Sequence, residues 1–458
     1  MSESTAVGWT GRQVTEPRST PDRALRSTFA TNMVLAGLAV ATGILTARLL
    51  GPSGEGELAA IEAWPVLLGT LAVLGLPEAL VYFISRQPER GKQLTSTAVL
   101  IGLLSSFAVG AVAWFAMPFL LSAQQPQVVS ATRVFLLIGC SYASFGIPQG
   151  SLRGAHAFTA WNLFRIFPGI AWLFILVAAW FVGHPSAIQL SRWFLAGLFL
   201  CGLPALVVVN RILRGSLKPD IRLAPDMLRF GLPSALTSLP HTINLRFDQL
   251  LIIAFLPARS LGFYVVAVSW SGGVAPLLSA VGSVLFPHVS AEQDTDRQAS
   301  MLATALQGGA LVAVATSVLF MLLAPFGLPF AFGSRFGPSI PSALVLVPAG
   351  AVLAWAGIAE EGLRGLGRPT IVLVAEVLAA VVTIAALPVL LATYGIFGAA
   401  VASLLGYSTI AVVTVVAISH STHQRVRSLV IPTWPVTKSL VVRGVSFLPG
   451  RHREGGVS

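Results

Sequence analysis

Trp161, Asn162, Arg165 and Pro168 fall on one helical face inside an apolar run. An arginine offers a planar fork that grips phosphate through two parallel hydrogen bonds, and the neighbouring indole and amide suit a sugar or an isoprenyl-phosphate junction. The alternative is an arginine that snorkels its head to the membrane surface. His241, Asn244 and Asp248 form a second stripe, at i, i+3 and i+7 after Pro240. The proline frees a backbone carbonyl and permits a bend, and a carboxylate beyond it could take up a proton or a sodium ion. His241 reads equally as an interhelical hydrogen-bonder. Arg246 lies about 200° around an ideal helix from Asp248, so it faces another wall of a wide cavity or a neighbouring helix. Glu376 lies as deep past its own turn as Arg165 does, and either pairs with Arg165 across a cavity or with Arg368 near the surface. An ionisable group in hydrocarbon costs roughly 3 kcal/mol, which is why each needs such a partner or cavity. Candidate substrate-binding residues are therefore Arg165, Asn162, Trp161 and Arg246, and candidate ion-coupling residues Asp248, Glu376 and Asn244. Glu62 reads as an entrance residue and Glu78 as a packing residue, while Glu360 and Glu361 precede Arg364 by four and three positions and form a local ion pair.

Only long apolar elements can place these groups. Of 458 residues, 55% are hydrophobic and 10% charged, against about 25% charged in soluble globular proteins. Twelve stretches reach the roughly 20 residues that cross a bilayer: 29–50, 58–84, 95–121, 128–152, 158–182, 189–210, 228–256, 261–289, 302–323, 340–359, 371–392 and 396–418. None alternates as the strands of a barrel do. Lys and Arg gather in every second turn, as at Arg86, Lys92, Arg153, Arg214, Arg364 and Arg368, and in both terminal segments. By the positive-inside rule both termini are cytoplasmic. That asymmetry accounts for the net charge of +11 without nucleic acid as a partner. Residues 1–27 read as a disordered cytoplasmic arm, 28–214 and 228–419 as six-helix bundles, 215–227 as a cytoplasmic linker, and 420–458 as a basic tail, either resting among inner headgroups or disordered. Cys140 and Cys201 lie in apolar spans with neither a disulfide framework nor metal spacing.

The two bundles carry an internal repeat. Residues 49–64 and 254–270 align Gly56 with Gly262 and Trp64 with Trp270, and the turn LRGAHAFT at 152–159 returns as LRGLGRPT at 363–370. Each bundle holds an even number of helices, so the repeat is parallel. These motifs, with ARLLGPSGEGELAA, GLPEAL at 75–80, LRFDQLLI at 245–252 and LGFYVVA, resemble the polysaccharide-export flippases of the multidrug, oligosaccharidyl-lipid and polysaccharide exporter superfamily. Val40 and Thr42 stand at the helix-one positions that match Arg246 and Asp248, where lipid II flippases carry charges.

The resemblance implies an all-α, polytopic membrane protein of two six-helix bundles around a central cavity. It implies alternating access on a polyprenyl-(pyro)phosphate-linked oligosaccharide in the plasma membrane, with polysaccharide assembly enzymes as partners beside the membrane lipids. A cation-coupled multidrug or metabolite exporter of the same superfamily is the competing expectation, and it calls for a carboxylate-dominated cavity. No P-loop and no large extramembrane loop is present, so neither an enzyme nor a resident cofactor is expected; the coupling ion, if there is one, is a proton or sodium.

Overall fold

Hydrocarbon offers backbone N–H and C=O groups no water to bond, so runs of this apolarity must close their hydrogen bonds within a helix. The computed structural model describes residues 21–432 other than 184, 277, 280–284, 286–288, 291 and 293. Among the described residues all regular structure is helical. In chain order the helices are α1 (Pro21–Ala72), α2 (Leu76–Arg86), α3 (Gly91–Leu120), α4 (Pro126–Phe135), α5 (Ile147–Gly154), α6 (Phe158–Val182) and α7 (Ala187–Ile212). The second half contains α8 (Ala224–Phe255), α9 (Ala258–Ser271), α10 (Thr295–Phe332), α11 (Ile340–Gly365), α12 (Pro369–Thr422) and α13 (Val426–Val430). The described positions between 275 and 290 are helical too.

Among the described residues eight helical stretches are long and apolar enough to cross a membrane, against the twelve expected. Two of these, Ala30–Arg86 and Pro369–Thr422, run for 57 and 54 residues, far beyond the roughly 20 that a bilayer needs. Each turns back at a glycine with positive φ, Gly51 at 64° and Gly395 at 58°. α8 is outside the eight; its 32 residues, continuous through Pro233 and Pro240, carry Asp226, Arg229, Arg246 and Asp248. The expected arm also shortens. α1 opens at Pro21, a residue preorganised for the first helical position, so the segment 21–27 is helix, while 1–20 lie outside the described residues. Of the expected tail, α13 packs on α10: Leu429 is buried and the Gln307 side chain donates to the Ser428 carbonyl at 2.6 Å; residues 433–458 lie outside the described residues.

One apolar core runs through both halves at the end of the molecule that holds Gly56. It contains Ile61, Met117 and Phe135 from the first half and Tyr264, Phe336 and Leu387 from the second. Towards the other end the core divides. Leu80, Leu94, Ile147 and Phe164 form a core in the first half, with Met227 of α8, while Leu306, Val347, Leu363 and Ile418 form another in the second. A shared core at one end and separate cores at the other make a V of two lobes.

The closed end is held by backbone contact. A Cβ built on Gly56 would lie 1.6 Å from the Ala258 carbonyl oxygen, and one built on Gly262 would lie 1.9 Å from that of Pro52. Pro52 and Ala258 are themselves equivalent in the repeat, so each half's glycine receives the other half's carbonyl about a local twofold axis. Arg48 adds hydrogen bonds to the carbonyls of Ala331 and Phe330, and Gln124 bonds those of Ile253 and Leu256. On one flank α2 also meets α8, through the Tyr82–Phe230 stack at 4.4 Å and the close approach of Gly75 to Gly231.

Candidate substrate and coupling sites

The LRG turn positions the first cluster. At its end the Ala157 amide donates to the Leu152 carbonyl at 2.9 Å, with His156 at φ 59°, and this sharp stop lets α6 fold back beside the last turn of α5. Arg153 on α5 and Arg165 on α6 therefore flank one indole: their guanidinium carbons lie 5.7 and 4.7 Å from the Trp161 ring centre. Arg165 donates to the Asn32 side-chain oxygen on α1 at 2.8 Å. Asn162 is buried and donates to the hydroxyls of Ser27 and Thr28, at 3.2 Å each, while its own carbonyl oxygen has no partner. Among the described residues no carboxylate forms an ion pair with Arg153 or Arg165. Two uncompensated guanidiniums on an aromatic platform suit a phosphate bearing two or more negative oxygens.

The second cluster joins α8 to α9 and α12. His241 Nδ1 lies 2.6 Å from one oxygen of the buried Glu376, and Asn244 donates to the other oxygen at 2.6 Å and to the Glu376 backbone carbonyl at 3.0 Å. One turn further along the stripe, buried Asp248 accepts from the Tyr264 hydroxyl at 2.5 Å, the Ser403 hydroxyl at 3.1 Å and the Gln249 amide at 2.7 Å. The Tyr407 hydroxyl bonds the Asn244 carbonyl at 3.4 Å. The stripe thus brings its three polar residues to α9 and α12, and three donors satisfy the desolvated Asp248 carboxylate.

Two pairings differ from expectation. Arg165 and Glu376 do not pair in this conformation, because Asn32 engages one and His241 with Asn244 the other; Arg368 donates to Ser421 instead of Glu376. Arg364 pairs with Glu361 at 2.5 Å and Glu360 at 3.5 Å, as the i, i+3 and i, i+4 spacing predicts. Arg246 is exposed, whereas Asp248 is buried, and Arg246 lies within electrostatic reach of Glu62 and Tyr142 in the other half. Local spacing reads Glu62 only as an entrance residue, since electrostatic proximity between positions 184 apart leaves no mark in it. Local spacing likewise shows Arg153 only as part of a basic turn and gives no sign of its proximity to Trp161.

A family model described as "Polysaccharide biosynthesis protein" matches residues 45–341. The chain is 23% identical over 427 residues to the probable low-salt glycan biosynthesis flippase Agl15 of Haloferax volcanii, covering 92% of this chain and 88% of that protein. Among solved structures it resembles the lipid II flippase MurJ in an inward closed conformation, with TM-score 0.73 and 14% identity over 93% of each chain. It also resembles an inward-facing multidrug resistance MATE family transporter, with TM-score 0.69 and 17% identity over 89% of this chain and 98% of that one. At such identity the structural likenesses speak for the fold.

Proposed function

Because the chain belongs to the polysaccharide biosynthesis protein family, we propose that it is a flippase for a lipid-linked glycan, specifically a polyprenyl-(pyro)phosphate-linked oligosaccharide, working by alternating access in the plasma membrane with both termini cytoplasmic. The observation that carries this reading is the Arg153–Trp161–Arg165 cluster: two cations flank an indole, with no carboxylate among the described residues pairing either of them. The cluster holds the pyrophosphate, and Asn162 and Trp161 meet the first sugar or the isoprenyl junction. The V opens towards the end with the arginine-rich turns, where such a substrate is made, and the Gly56–Gly262 contact closes the other. Arg246, exposed on the far side of α8 from Asp248, serves the substrate from the second half. A proton or sodium ion couples at the Glu376–His241–Asn244 site or at Asp248, and the polysaccharide assembly enzymes act on the product. The relative from Haloferax volcanii is named a flippase of glycan biosynthesis, in keeping with this reading. A cation-coupled exporter of organic cations is less well supported, because protein donors already occupy the two carboxylates of this cluster, Glu376 and Asp248.

The test is flipping of a panel of polyprenyl-linked glycans by the full chain in proteoliposomes. Arg165→Ala should abolish flipping and Arg165→Lys retain part of it, since lysine supplies charge without the bidentate fork. Each charge-assisted bond is worth about 2 kcal/mol, so Arg153→Ala should weaken apparent affinity roughly thirtyfold. Wild-type flipping by both alanine variants would overturn the assignment.

A further inference from the structure

A separate cavity of about 690 Å³ lies along the flank of the first half, between α3 and α7. Its α3 wall presents Lys92, Ser96, Val99 and Leu103, at the spacing of one helical face. Its α7 wall includes Leu206 and, at the helix end, Asn210 and Arg211. Thr95 of α3 shares a 2.7 Å hydrogen bond with Ser151 of α5, which ties α3 to α5 beside the groove. The linker after α7 caps one end: the Lys92 amide donates to the Arg214 carbonyl at 2.8 Å and the Asp220 amide to the Thr97 hydroxyl at 2.9 Å, which holds Leu217 against the groove. None of Arg153, Trp161 and Arg165 lines this cavity, so it is distinct from the substrate cluster.

The groove is amphipathic along its length. Lys92 and Arg211 stand at the end that the Lys and Arg asymmetry assigns to the cytoplasmic face, and among the described residues neither forms an ion pair. From Lys92 the wall turns apolar through Val99 to Leu103, eleven residues or about 16 Å along the helix. That is about half of the roughly 30 Å hydrocarbon layer, the reach of one acyl chain within one leaflet. A polyprenyl tail is several times longer. Anionic phospholipids line the cytoplasmic leaflet, where each nearby Lys or Arg favours them. We propose that the α3–α7 groove seats an anionic phospholipid of the cytoplasmic leaflet, its phosphate between Lys92 and Arg211 and one acyl chain along Val99, Leu103 and Leu206.

The experiment measures lipid retained by the full chain under native mass spectrometry, after mixing with dioleoyl phosphatidylglycerol and dioleoyl phosphatidylcholine at equal mole fraction. Wild type should prefer the anionic lipid roughly 25-fold, about 5-fold for each cation. Lys92→Gln with Arg211→Gln should bring the two lipids to parity. Leu103→Trp, which fills the apolar part, should remove phosphatidylglycerol while both cations remain. Arg211 is exposed and Lys92 and Leu103 are half-buried, and an unchanged elution volume confirms that the variants fold. An undiminished preference in the double variant overturns the proposal. So does displacement of phosphatidylglycerol by polyprenyl phosphate at equal mole fraction, which would give the groove to the transported lipid. Displacement by millimolar inorganic phosphate would overturn it as well, because the acyl chain would then contribute nothing.

Discussion

At the scale of single residues, Glu376 and Asp248 are buried in two different ways. Glu376 is held by a histidine and an amide, so its environment changes whenever His241 gains or loses a proton, whereas Asp248 is held by two hydroxyls and a backbone amide. Asp248→Asn removes the charge but keeps the shape, imitating the protonated acid. If a proton couples at Asp248, the variant should fold and bind substrate yet lose the dependence of transport on an imposed pH gradient. If sodium couples there, it should instead lose sodium-dependent stabilisation of the purified protein. Transport by wild type and Asp248→Asn under both gradients decides this; identical responses would make Asp248 structural and move attention to Glu376. The residue types and their stripe were legible in the sequence, because helical period alone puts 241, 244 and 248 on one side. Their partners were not, since Tyr264, Glu376 and Ser403 lie on other helices and periodicity says nothing of which helix is adjacent.

Among the elements, the two LRG turns show the repeat at atomic detail. Ala157 to Leu152 and Arg368 to Leu363 are the same hydrogen bond in the two halves, at 2.9 Å in both. At the equivalent bend positions the second half has Gly367, at φ 72°, and the first has His156, at φ 59°. A residue with a Cβ costs about 1–2 kcal/mol in the left-handed region, so His156 carries strain that Gly367 does not. His156→Gly should therefore stabilise the protein by about 0.5–1 kcal/mol, less than the full relief because glycine is freer in the unfolded chain and the edge contact with Phe158 is lost. Gly367→Val should destabilise by more, since a β-branched side chain resists positive φ. Thermal unfolding in one detergent checks both, and a lower midpoint for His156→Gly would contradict the strain argument.

For the whole molecule the closed end is the decisive feature. No side chain fits where Gly56 meets Ala258 and Gly262 meets Pro52, so Gly56→Val must part the lobes there. A cysteine introduced at the fully buried position Ile61, inert in wild type, should then react with a membrane-impermeant maleimide from outside. Continued inertness would show that the seal rests on the Arg48 and Gln124 contacts instead. Orientation has its own test. Ser53, Ala123, Ser186 and Ser334 are exposed at one set of turns, and Gln87, Lys218 and Asp294 at the other. Cysteines at the first four should label in intact cells and those at the last three only after permeabilisation. Reversal at any two would refute the topology.

An all-helical membrane protein with a parallel internal repeat is readable from the order of residues alone, and the reason is solvent. Hydrocarbon forces local hydrogen bonding and forbids unpaired charge, so apolar length and the placement of Lys and Arg are written along the chain. Even the equivalence of Gly56 and Gly262 was visible, because the repeat preserves order and spacing. That these two glycines touch was not visible, for a repeat states that two sites correspond and never that an axis passes between them. It took the packing of the helices to bring Arg153 to the Trp161 that Arg165 also meets, Glu376 to His241 instead of Arg165, and Glu62 within electrostatic reach of Arg246. Each depends on how the helices are arranged in the membrane plane, and local spacing does not encode that arrangement.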